Sequence, residues 1–147
     1  MSSPAAASGV VRPVPDEVSE FFWEGARQGE LRIQRCGGCA KFIHWPRPIC
    51  RYCGSTELTP QVVSGSGALY SFTIVEKAFH PFFADRVPYV VATVELIEQR
   101  RLMMVSNLVD VEESSIRIGM PLRADFRDVG GGLVLPRFAP DHTAAPR

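Results

Sequence analysis

Along the 147 residues the apolar positions keep first one rhythm and then another. From Asp16 the side chains of Val18, Phe21, Phe22 and Ala26 recur at helical spacing, with Asp16 as the cap and Glu17 and Glu20 in the first turns, where the dipole favours them. Gly29 supplies a stop, so the spacing predicts a helix of about three turns. "ELRIQRC" then alternates Leu31, Ile33 and Arg35 against Arg32 and Gln34, which predicts a strand running into the first cysteine.

After Gly65 the signal is β throughout. "GALYSFTIVEKAF" predicts a long strand rich in aromatic and β-branched residues, entered through "SGSG", whose glycines permit a bulge or tight bend. "PYVVATVELI", "RRLMMVSNLV", "PLRADFRDV" and "GLVLPRF" predict four more, and "DVEESSIRIGM" leaves room for one helical turn at most. A long bulged strand followed by short ones suits a small Greek-key barrel of the OB type, although an SH3-like barrel or a sandwich fits the pattern alone almost as well.

Charge changes the picture by exclusion. Sixteen basic and sixteen acidic residues leave no global field to gather phosphate backbones. No apolar run approaches the roughly 20 residues a bilayer requires, and "MSSPAAASGVVRPVPDE" has neither a basic start nor an apolar h-region, so a soluble, cytoplasmic protein is expected. Paired cysteines in that reducing compartment point to metal more than to disulfides.

All four cysteines fall within "RCGGCAKFIHWPRPICRYCGS" as two Cys-x-x-Cys pairs, Cys36 with Cys39 and Cys50 with Cys53. Two residues between cysteines let both sulfurs of a tight turn face one cation, and two such knuckles complete a tetrahedral tetrathiolate site for Zn2+, rubredoxin-like iron being the competitor. Four sulfurs leave no position for water or substrate, so the site is expected to be structural. Between the knuckles "KFIHWPRPI" forms a finger stiffened by Pro46 and Pro48 that presents His44, Trp45 and Arg47, with Trp45 expected to pack beneath it and His44 not expected to be a ligand.

Catalytic signatures do not emerge. There is no G-x-S-x-G elbow, P-loop, G-x-G-x-x-G or H-E-x-x-H, "GGG" at Gly130 to Gly132 reads as a turn, and the metal claims every cysteine. One loop, "EKAFHPFFADRVPY", gathers Phe79, His80, Phe82, Phe83 and Arg86. Aromatics beside a cation could contact a ligand with an apolar arm and a phosphate-bearing head, such as a CoA thioester shared with a partner, or dock the partner itself; part of the cluster is also expected to fill the barrel end. His80 with Asp85 is a further candidate, for hydrolytic chemistry.

Taken in order, "FFWEGARQGELRIQRC", "CGGC", "PRPICRYCGS", "GSGALYSFTIV", "PYVVATVEL" and "LPRFAP" resemble the domain-of-unknown-function family number thirty-five, over about Glu17 to Pro140. The resemblance implies a mainly β chain: an N-terminal helix and rubredoxin-like zinc ribbon, then a five-stranded OB-fold β-barrel. The expected divisions are a disordered N-terminal segment at 1–15, helix and ribbon at 16–60, barrel at 61–140 and a flexible tail at 141–147. It makes Cys36, Cys39, Cys50 and Cys53 the metal ligands and supplies no catalytic residue. It further implies a non-catalytic accessory subunit beside a thiolase-like enzyme (sterol-carrier-type thiolase or aldolase) or a MaoC-type hydratase, in a hetero-oligomer, helping to form or stabilise an acyl-CoA site in steroid or fatty acyl-CoA metabolism. The alternative from residues alone is a single-stranded nucleic-acid module, with Arg32, Arg35, Arg47 and Arg51 as a local patch around the ribbon.

Overall fold

The structure, a computed structural model, describes residues 11–144. The expected disordered start and flexible tail therefore lie in part, at 1–10 and 145–147, outside the described residues. The elements are helix α1 (Glu20–Arg27) and strands β1 (Leu31–Cys36), β2 (Phe42–Ile43), β3 (Leu58–Val63), β4 (Ser66–Val75), β5 (Tyr89–Leu96), β6 (Met103–Leu108), β7 (Pro121–Asp128) and β8 (Val134–Pro140). One-turn 3-10 helices stand at Pro81–Phe83 and Glu113–Ser115.

The helix is shorter than its spacing predicts because Asp16 closes a separate turn. Its backbone carbonyl accepts from the N–H groups of Ser19 and Glu20, and its carboxylate accepts from the Ser19 amide and hydroxyl. These bonds hold the Asp16 carboxyl below its ordinary range, the Ser19 side chain contributing most. At the other end Gly29 takes φ 75°, which lets its N–H reach the Ala26 carbonyl and that of Glu30 reach Gly25, the paired bonds of a Schellman cap.

Strand β3, like the two-residue β2 within the finger, is not predicted by the pattern. Pro60 interrupts it and most of its side chains are exposed, so neither alternation nor β-propensity marks it. It nevertheless pairs antiparallel with β1 from Leu31↔Val63 to Cys36↔Leu58, and with β2 on the other side of β1 the ribbon is a three-stranded sheet.

The five remaining strands close a barrel in the order β4-β5-β6-β8-β7, with β6 and β8 parallel and the other pairs antiparallel. That is the OB-fold arrangement. Ala92, Val94 and Leu96 alternate into the interior from β5 and meet Leu69, Met104, Leu122 and Phe138. The bulge falls at Tyr70, which slips out between the Leu69↔Val94 and Ser71↔Thr93 pairs; "SGSG" instead makes the bend into β4, with Gly65 at φ 76°. One apolar cluster runs from the barrel through Val63, Leu31 and Ile33 to Phe22, so ribbon base, helix and barrel share a core. No helix among the described residues is long and apolar enough to cross a membrane.

Candidate functional site

The cysteine knuckles are built by turns at the end of β1 and before β3. The Sγ atoms of Cys36, Cys39, Cys50 and Cys53 all lie within 4.8 Å of one another, with Cys36 and Cys53 at 3.6 Å and Cys39 and Cys50 at 3.7 Å. A tetrahedron of sulfurs about 2.3 Å from a central ion has edges of about 3.8 Å, so the donor set fits one four-coordinate cation. Backbone N–H groups support the sulfurs: Cys39 N–H approaches Cys36 Sγ at 3.5 Å and Tyr52 N–H approaches Cys50 Sγ at 3.4 Å. The Cys39 amide is the chief reason the Cys36 thiol is drawn down to about 6, against the opposing effect of burial. Ile43 and Leu58 pack around the buried cysteines as a small second core.

Two glutamines that the sequence reading passed over hold the finger in place. Gln34 is buried; its amide donates to the Arg47 carbonyl at 3.0 Å and its oxygen accepts the Arg47 N–H at 2.9 Å. Gln99, in the β5–β6 turn, makes the same reciprocal pair with Phe42, at 2.9 and 3.1 Å. One therefore ties the finger to the ribbon and the other ties it to the barrel. No sequence signal could have found them, since the partners lie 13 and 57 residues away.

Trp45 does not lie beneath the finger. It is 45 % exposed and stands edge-on to Phe22 and Trp23 of α1, at centroid distances of 4.9 and 5.8 Å. His44 is beside it, 5.5 Å from Phe22, and burial lowers its pKa to about 4. The imidazole is thus neutral near pH 7 and stands apart from the four sulfurs of the metal cradle.

The aromatic loop joins β4 to β5, and its residues are all exposed or half-buried. Its 3-10 turn is capped by His80, whose Nδ1 accepts the Phe82 N–H at 3.1 Å. Arg86 lies over the Phe82 ring at 4.3 Å, Phe82 meets Phe83 edge-on at 5.0 Å, and Phe83 leans on Tyr89 at 5.6 Å. Four of the five residues singled out in this loop therefore form one cluster, while Phe79 extends away, 86 % exposed, with Lys77 above it at 5.8 Å. Among the described residues no hydrogen bond or ion pair joins His80 to Asp85, so that dyad is not assembled.

Taken together, the fold and the cysteine cradle define an OB-fold protein carrying a four-cysteine zinc ribbon. Residues 23–59 match the family profile described as "ChsH2, rubredoxin-like zinc ribbon domain" and residues 60–127 that described as "ChsH2, C-terminal OB-fold domain". The chain belongs to this ChsH2-type, DUF35 family. It is 40 % identical over 129 residues to a probable enoyl-CoA hydratase alpha subunit of Thermomonospora curvata, covering 88 % of this chain and 39 % of that protein. It is 34 % identical over 119 residues to the 3-oxo-4,17-pregnadiene-20-carboxyl-CoA hydratase alpha subunit of Mycobacterium tuberculosis, covering 81 % and 37 %. The chain thus spans under two fifths of either curated relative. Among solved structures, a chain described as "Ltp2-ChsH2(DUF35) aldolase" superposes with TM-score 0.78 and 39 % identity, over 88 % of this chain and 98 % of that one.

Proposed function

We propose that this chain is an accessory subunit that binds an acyl-CoA-processing enzyme, of thiolase-like or hydratase type, and helps to form or stabilise its thioester site without turnover of its own. The observation that carries the reading is the near-complete superposition, at 39 % identity, on a chain of an aldolase assembly. The two hydratase alpha subunits match over 129 and 119 residues, under two fifths of their own lengths, so what this chain shares with them is a part of a larger subunit. Cys36, Cys39, Cys50 and Cys53 would hold zinc in a structural role, since four thiolates fill a tetrahedral ion. Phe79, His80, Phe82, Phe83 and Arg86 supply an exposed aromatic and cationic contact for the partner or its CoA. Steroid-derived or fatty acyl thioesters are the substrate classes to try first.

The test is purification of the tagged chain from its native lysate, followed by hydratase and thiolase or aldolase assays on the isolated chain, the co-eluting subunit and the recombined pair. The expected result is activity in the partner that rises on recombination and none in the chain alone. Efficient turnover by the isolated chain would defeat the reading.

A second reading has one observation in its favour. Net neutrality hides a ribbon, residues 31–58, with five basic residues against one acid, and Tyr52 at its tip has Lys41 at 5.0 Å and Arg51 at 4.9 Å from its ring. Cations around an exposed aromatic suit single-stranded nucleic acid. Oligonucleotide affinity falling steeply with salt would favour this reading; its absence would remove it.

A further inference from the structure

A cleft of about 500 Å3 opens where the barrel is least closed. The parallel strands β6 and β8 pair at one position only, Leu108↔Phe138, and farther along they are bridged by the Ser106 hydroxyl, which donates to the Pro136 carbonyl at 2.6 Å. Helix α1 and the finger lie across this loose seam. Its walls include Trp23, His44, Trp45, Met103, Val105 and Pro136.

The chemistry of the lining selects its ligand. No Asp, Glu, Lys or Arg lines it, in contrast to the cleft of about 450 Å3 between helix and ribbon, which is rimmed by Glu17, Glu20 and Glu24. A phosphate or carboxylate would find no counter-charge here. Ser106 and Asn107 already donate to backbone carbonyls, and His44 is a neutral imidazole whose Nδ1 is buried without a partner among the described residues. The space is in the range of small-molecule sites, larger than a short acyl chain would fill, and two indoles form flat walls.

We propose that this cleft binds an uncharged, ring-bearing hydrocarbon group, the acyl portion of a bulky thioester. The assignment to an acyl portion rests on the acyl-CoA reading given above; the binding of such a group does not. The CoA head group stays outside, because nothing in the lining compensates its charge.

Trp23 and Trp45 are the chain's two tryptophans and both line the cleft, so intrinsic fluorescence reports on it directly. The purified full chain is titrated with progesterone, an uncharged fused-ring ketone, and separately with free CoA. The expected result is a saturable change in emission with progesterone that free CoA neither produces nor competes away. Val105→Glu places a charge in the lining at a side chain 66 % exposed and should weaken the response about tenfold or more, while Ile97→Glu, exposed and outside the lining, should leave it unchanged. Should Val105→Glu prove unstable by circular dichroism, Trp23→Phe and Trp45→Phe serve instead, each removing part of the signal. Absence of a saturable progesterone response, an undiminished response in Val105→Glu, or displacement by free CoA would overturn the proposal. Failure here with a partner still captured removes the cleft alone; success here with no partner removes the accessory role alone.

Discussion

Burial sets the protonation of His44, and the direction of its effect on stability follows. Its folded pKa, about 4, is below the ordinary 6.5 because the charged form is desolvated. Above about pH 6.5 neither folded nor unfolded chain protonates it, and the residue leaves stability flat. As the pH falls from 6.5 toward 4 the unfolded chain binds a proton that the native state refuses, so stability drops, by up to about 3 kcal/mol, and levels off below that window. His44→Phe, which keeps an aromatic ring against Phe22 and Trp45, should shrink this loss. Urea midpoints of both proteins at pH 7 and pH 4.5 decide it: an equal acid loss in the variant would show that His44 is not the cause. At this scale the cysteines were legible, because two-residue spacing is itself the geometry of a knuckle. Gln34 and Gln99 were not, since a glutamine side chain announces no partner and theirs are backbone groups supplied by the fold.

Elements were legible where their own side chains carry the pattern. Strand β5 declares itself by alternation, whereas β3 is held by main-chain bonds to β1 and by the core contact of Val63, which no local period reveals. That difference predicts how the ribbon fails. The small core of Cys36, Ile43 and Cys50 depends on the cradle, while Leu31, Ile33 and Val63 belong to the core shared with the barrel. Metal removal by a strong chelator, which forfeits about 10 kcal/mol or more of coupled binding energy in sites of this kind, should open residues 37–57 and leave the base of the sheet closed. Hydrogen exchange measured with and without chelator should lose protection at the knuckles and keep it along β4 and β5; simultaneous loss in the barrel would mean one cooperative unit. Within the barrel, Gly67 is needed for close approach. A Cβ there would meet Val94 Cγ1 at 2.6 Å and the Glu95 carbonyl oxygen at 2.7 Å, and the backbone atom cannot yield cheaply. Gly67→Ala should therefore cost about 1–3 kcal/mol, read as a lowered denaturation midpoint with the far-UV spectrum unchanged. An unaltered midpoint would mean that the strands can separate at that point.

For the molecule as a whole, summed charge concealed what its distribution shows. Residues 16–30 hold five acids against Arg27, the ribbon is basic, and the two adjoin through Arg32, paired with Glu30 at 2.7 Å and Glu24 at 3.9 Å. The cleft was invisible for a related reason: its walls come from four separated stretches of chain that only the closed fold assembles. The aromatic loop, by contrast, was readable as one run of sequence, and its role can be separated from stability. Phe79 is almost fully exposed and Arg86 is also exposed, so their removal sacrifices little core burial. Paired Phe79→Ala and Arg86→Ala substitutions should leave the melting temperature within the small range usual for surface changes, while lowering partner affinity by about tenfold or more if the loop is a contact centre. Loss of affinity with Tm intact places the partner at the barrel's aromatic loop. Intact affinity, with loss instead on Lys41→Ala and Arg51→Ala, moves the interface to the ribbon tip, where Tyr52 and its two cations face outward. The two surfaces differ in ionic character, so salt provides an independent check: a contact made by the ribbon tip weakens markedly as ionic strength rises, and one made chiefly by phenylalanines does not.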